Sequence, residues 1–165
     1  GAVKKLIVIF LFTWLEGFGQ HTISMSFNYT KTDFFHGVEY GRTIHSVLFF
    51  AGVEYGINRT LFQSRFFPKV KGGIYYLALK KEKFNLGPVI QYGYSYLQYN
   101  KQPKGIANYH ELNGGLRWRY GKKWQVGQTL LIGGLWERGM STIYQQPVTS
   151  GTMGFVLQID CIYAF

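Results

Sequence analysis

The residues of this chain that could carry chemistry are four histidines, one cysteine and a sparse set of acids and bases. His21, His36, His45 and His110 are dispersed, without the His-x-x-x-His spacing that sets two imidazoles on one helical face, so no metal site is expected. No glycine-rich phosphate loop is present and no cofactor is implied; the glycines fall in alternating segments, where they ease curvature and crowding. Cys161 is the sole cysteine, which rules out an internal disulfide. Its place among alternating apolar residues reads as a small buried hydrophobe rather than a reactive thiol. The ionisable residues Glu39, Glu54, Glu111, Arg117, Arg119, Glu137 and Asp160 are more informative. They recur on the polar side of segments whose other side is apolar.

β-Strands would align them. Ile23, Met25, Phe27 and Tyr29 alternate with Ser24, Ser26 and Asn28; Trp124, Val126, Leu130, Ile132 and Trp136 oppose Gln125, Gly127, Thr129 and Glu137. A period of two over such lengths is strand, not helix. Eight strands are predicted, at about 21–31, 34–44, 47–60, 69–80, 83–98, 107–120, 124–138 and 150–165, each near or above the roughly 9–11 residues that cross a membrane. Composition agrees: 21 Gly, 13 Tyr, 14 Phe and only 16% charged residues mark an all-β chain of one domain. The near-duplicate GVEYGR and GVEYGI (37–42 and 52–57) is one pair, not a repeat architecture.

The connections alternate in length. Tight turns follow strands two, four and six (around His45-Ser46, Lys81-Glu82 and Lys122-Lys123), and longer loops follow strands three, five and seven. Short turns at one end and long loops at the other describe an up-and-down barrel with both ends of its sheet on the short-turn side. Residues 1–19 have the layout of a secretory signal peptide: Lys4-Lys5, an apolar run over 6–15, and Gly17-Phe18-Gly19 before Gln20. The domain reading is therefore 1–19 leader and 20–165 barrel. The formal net charge of +10 does not point to nucleic acid, because the basic residues lie in short scattered groups; an anionic membrane surface is the expected electrostatic partner.

The apolar face is too aromatic to be solvated all round, so it is expected to face lipid. The polar face would then line a narrow lumen where Glu39, Glu54, Glu111, Glu137, Asp160, Arg117 and Arg119 neutralise one another. Trp118, Tyr120, Trp124, Trp136 and Tyr163 are placed as interfacial belts. A closed barrel satisfies its own backbone, which any spanning β-structure must do.

The chain ends in GFVLQIDCIYAF. That alternating strand, with Tyr163 two before the aromatic Phe165, resembles the C-terminal strand signal of bacterial outer-membrane barrels. Over the mature region the chain resembles the small eight-stranded OmpA/OmpX-like barrels. The resemblance implies an antiparallel up-and-down transmembrane β-barrel in the outer membrane of a Gram-negative bacterium. It also implies that the barrel-assembly machinery recognises Tyr163 and Phe165.

Function is then expected to be non-enzymatic. Basic and aromatic loop residues (Arg59, Arg65, Phe66, Phe67 and Lys69; Lys101 and Lys104; also Tyr99 and Tyr144) would contact lipopolysaccharide or a partner protein, including as a subunit of an envelope complex. The alternative is a lipid A-modifying enzyme. Outer-membrane lipid A deacylases resemble this architecture and use a His-x-Ser-Asn-Gly-like stretch. The nearest segment here, Tyr109-His110-Glu111-Leu112-Asn113-Gly114-Gly115, has Leu112 where the nucleophilic serine would stand, so His110 has no hydroxyl to activate.

Overall fold

The computed structural model describes residues 20–30, 34–56, 68–99, 105–141 and 146–165. The expected leader (1–19), Arg59, Arg65, Phe66, Phe67, Lys101, Lys104 and Tyr144 lie outside the described residues. Among the described residues nine strands are present: β1 (Gln20–Thr30), β2 (Phe34–Ile44), β3 (Val47–Gly56), β4 (Pro68–Tyr76), β5 (Leu79–Lys80), β6 (Phe84–Tyr99), β7 (Gly105–Gly121), β8 (Trp124–Ser141) and β9 (Gln146–Ala164). They form one antiparallel sheet in the order β4-β3-β2-β1-β9-β8-β7-β6-β5, and a β4–β6 pairing closes it on itself. β5 continues β4, so the barrel has eight staves and a transmembrane up-and-down topology.

The predicted strand over 69–80 is interrupted. Tyr75 pairs with Val89 and Leu79 with Leu86, so residues 76–78 face only 87–88: a β-bulge of one extra residue. Gly87 sits opposite, and its missing Cβ leaves room for the Tyr76 carbonyl. The Leu77 N–H donates to the Ser46 carbonyl at 2.8 Å instead, so the bulge leaves that donor satisfied.

Three tight turns and the β1–β9 seam share one end of the barrel. His45 turns the β2–β3 hairpin with φ 58°, and Gly121 enters the β7–β8 turn with φ 131°, a conformation that suits glycine. The seam closes where His21 and Phe165 exchange backbone hydrogen bonds of 3.0 and 2.9 Å. Within the described residues β6 to β9 run 16–19 residues and β1 to β4 run 9–11.

Alternation decides the two faces. Ile23, Met25, Phe27, Val38, Val53, Val70, Ile74, Ile90, Leu112, Leu116, Leu130, Ile132, Leu157 and Ile159 all point outward and are exposed. The intervening residues are buried inside: Thr22, Ser24, Ser26 and Asn28 on β1, and Gln158 and Asp160 on β9. In a soluble barrel this arrangement would leave an apolar girdle in water; across a bilayer it places every exposed aliphatic residue in hydrocarbon. Aromatic residues bracket the girdle. Tyr76, Tyr120, Trp124, Tyr163 and Phe165 ring the turn end, and Tyr29, Tyr55, Tyr92, Tyr94, Trp136 and Phe155 stand toward the loop end.

Candidate functional site

The buried acids and bases converge in the lumen because the staves place their polar parity inward. A chain of alternating charge runs across it. Lys69 Nζ lies 2.7 Å from Glu111 and 3.4 Å from Glu54; Lys71 Nζ lies 2.6 Å from Glu54 and 3.2 Å from Glu39. Arg117 continues the chain by donating to Glu39 at 3.1 Å, and Arg119 stands 3.9 Å from the same carboxylate. Each acid therefore touches at least one base, and Glu39 and Glu54 touch two or more. That geometry offsets the large cost of removing these ions from water.

Neutral side chains complete the network. Asn28 donates to Glu54 at 2.5 Å, Lys71 to Gln158 at 3.0 Å, Gln158 to Asp160 at 2.5 Å, and the Arg117 Nε to Thr129 at 2.8 Å. Glycine makes the space: a Cβ on Gly93 would stand 2.9 Å from Lys69 Cε, and one on Gly127 would stand 3.3 Å from Asp160 Oδ2.

Apolar residues also point inward. Phe35, Tyr109 and Leu135 pack at the loop end, and Leu48, Phe50, Tyr75, Leu77, Val89, Leu131 and Val156 form a second cluster. These rings serve the cations directly. Lys69 lies 4.7 Å from the Phe35 centroid, and the Arg117 guanidinium lies 4.4 Å from that of Phe50. The lumen is thus a packed interior in which charge is threaded between aromatic rings.

Of the residues singled out in sequence, Glu39, Glu54, Glu111, Arg117 and Arg119 join this chain, and Asp160 reaches it through Gln158. Glu137 has the same parity and sits half-buried toward the loop end of β8. Lys69 requires a correction. Expected among the loop contacts, it is 1% exposed in the lumen, because β4 begins at Pro68 and its first inward position is residue 69. Lys71 was missed altogether, although Lys69-Val70-Lys71 already alternates. Cys161 also differs from expectation: it is exposed on the outer wall, beside Met25 and Val126, rather than packed inside.

The outer wall positions the remaining residues. His110 is half-buried there, 2.7 Å from the Tyr92 hydroxyl and against the Tyr94 ring, while Leu112 is exposed beside it and Glu111 points the opposite way, into the lumen. At the seam, Phe165 stacks on His21 and on Tyr163, and Trp124 packs on Tyr163. The His21 ring also meets the Tyr40 hydroxyl at 2.6 Å. Among the described residues no group of three or more His, Cys, Asp or Glu side chains could hold a metal.

No protein-family profile and no curated protein sequence matches the chain. Solved structures do. The N-terminal β-barrel domain of Pseudomonas aeruginosa OprF superposes with a TM-score of 0.54 at 10% identity, covering 88% of this chain and 100% of that one. A major outer membrane protein from Thermus thermophilus gives 0.51 at 10% identity, covering 90% and 100%. At such identity the likeness is one of fold, and it agrees with the closed sheet and the outward apolar girdle. The chain is an eight-stranded antiparallel up-and-down transmembrane β-barrel, the fold it shares with these outer-membrane barrels.

Proposed function

We propose that this protein is a non-enzymatic integral barrel of a Gram-negative outer membrane, whose role lies in structure or interaction at its loop end. One observation carries the reading: the outer wall is a continuous apolar girdle while the charges are sealed inside among packed rings. Such a barrel spans a membrane, and its packed lumen is suited neither to conduction nor to holding a substrate. In this reading the leader at 1–19 exports the chain, and Tyr163 and Phe165 present the closing strand to the assembly machinery. Arg59, Arg65, Phe66, Phe67, Lys101 and Lys104 supply the basic and aromatic contacts to lipopolysaccharide or a partner protein of the envelope. The position of Leu112, beside His110 on the lipid-facing wall, supports the absence of deacylase chemistry, since no hydroxyl occupies it.

The test begins with gel mobility of the envelope-extracted protein, unheated against boiled, alongside membrane fractionation. A heat-dependent shift with recovery in the outer-membrane fraction is the expected outcome; a periplasmic protein without a shift would refute it. Pull-down with lipopolysaccharide, comparing the parent with Arg59→Ala/Arg65→Ala and Lys101→Ala/Lys104→Ala, then assigns the loop contacts. Turnover of lipid A that disappears in His110→Ala would overturn the non-enzymatic reading.

A further inference from the structure

The turn end of the barrel carries a concentration of charge that the lumen does not use. Lys80, Lys81 and Lys83 occupy the hairpin between β5 and β6, and Lys122 and Lys123 the turn between β7 and β8; all five are exposed. Against them the same turns hold one acid, Glu82, which pairs with Lys122 across the two neighbouring hairpins. Four of the lysines and Glu82, with Gln20, Asn85 and Gln125, surround an open cavity of about 400 Å³ at this mouth.

Two features point outward from the mouth to the surrounding leaflet. The collar lies directly beyond the aromatic residues Tyr120, Trp124, Tyr163 and Phe165, which is the depth of lipid headgroups. The exposed Lys123 ammonium also stands over the Tyr163 ring, 5.4 Å from its centroid, which sets it against the aromatic rim of the wall.

We propose that this lysine collar is a binding site for anionic phospholipid headgroups in the leaflet at the turn end. Phosphodiester oxygens would accept hydrogen bonds from Lys80, Lys81, Lys122 and Lys123, and the Trp124 and Tyr163 rings would lie against the glycerol and upper acyl chain. The chemistry is charge complementarity at headgroup depth, where basic clusters bind anionic lipid. The proposal rests on membrane insertion as read above, and its test separates the two.

The full chain, purified in detergent, is given equal amounts of phosphatidylglycerol and phosphatidylcholine with identical acyl chains, and retained lipid is counted by native mass spectrometry. Phosphatidylglycerol is expected to be retained about tenfold over phosphatidylcholine. In the variant Lys80→Gln/Lys81→Gln/Lys122→Gln/Lys123→Gln the ratio should fall toward one, while Arg138→Gln, at an exposed position toward the loop end of β8, leaves it unchanged. An unchanged ratio in the collar variant overturns the proposal, as does displacement of the lipid by millimolar inorganic phosphate at constant ionic strength, which would reassign the site to a free anion. Insertion of parent and collar variant into phosphatidylcholine vesicles, read by heat-dependent mobility, reports the membrane reading by itself. Insertion without lipid preference sinks the collar alone; failure to insert sinks both.

Discussion

Glu54→Gln is the sharpest perturbation of the lumen. Glu54 is fully buried and meets three groups at once: the Lys71 ammonium at 2.6 Å, the Asn28 amide N–H at 2.5 Å and, as an ion pair, the Lys69 ammonium at 3.4 Å. Glutamine keeps the volume and one acceptor oxygen but removes the charge and turns an amide N–H toward an ammonium. Deleting one partner of a buried ion pair costs about 3–5 kcal/mol, because the other charge is left in a low dielectric. Here both lysines keep a second carboxylate, Glu111 for Lys69 and Glu39 for Lys71, which sets the expectation at the low end, about 3 kcal/mol. That corresponds to roughly a hundredfold change in the folded-to-unfolded ratio. The measurement is reversible urea unfolding in phospholipid vesicles, followed by tryptophan fluorescence and fitted for midpoint and slope. Glu82→Gln is the internal control. Its pair with Lys122 is largely exposed, so its loss should cost at most about 1 kcal/mol. If the two variants shift the midpoint equally, water screens the lumen and the account of a dry charge chain is wrong.

Other expectations follow from the same geometry. Gly93→Ala would set a Cβ 2.9 Å from Lys69 Cε and move the ammonium off Glu111; the flexible side chain absorbs part of this, leaving a loss of about 1 kcal/mol in the same unfolding assay. Ile90→Arg, on the outward face of β6, should cost about 2–4 kcal/mol in a bilayer, whereas a soluble barrel would tolerate it with little change. Cys161 should resist a membrane-impermeant maleimide in the inserted protein and react once the chain is unfolded in urea; rapid labelling of the inserted form would show that the outer wall near β9 meets water.

The strand boundaries were legible because lipid outside and a closed lumen inside force strict alternation. β2 was placed to the residue, and β1, β6 and β7 to within one or two residues, whereas β8 runs on to Ser141 past its expected end at 138 and β9 starts at Gln146 before its expected start at 150. What escaped were inward apolar residues hidden in the doublets Phe34-Phe35, Phe49-Phe50 and Tyr75-Tyr76. At these steps both faces are apolar, so period two gives no signal for which residue turns in. Lys69 and Lys71 escaped for the opposite reason. Lys69 stands beside Pro68 at the first residue of the predicted strand over 69–80, where a lysine reads as a loop contact, and Lys71 lies between Val70 and Gly72 with no polar run to mark its face; the β3–β4 register, which pairs Glu54 with Lys69, turns that parity into the lumen. The bulge at 76–78 was also invisible, since an extra residue preserves local alternation on each side of it.

The alternating charge chain bears on how such a barrel can enter a membrane. Its links join positions far apart along the polypeptide: Glu39 with Arg117, Lys69 with Glu111, and Lys71 with Gln158. No single hairpin contains a complete set of partners. A sheet that crossed the bilayer one hairpin at a time would expose uncompensated ammonium and carboxylate groups to hydrocarbon, and would do so until β9 met β1. The cheapest route keeps the inner face hydrated while the curved sheet is still open, and expels that water only as the last seam zips. Insertion and closure are thereby coupled into one cooperative event, and a chain halted short of its final strand has no stable resting place in the bilayer.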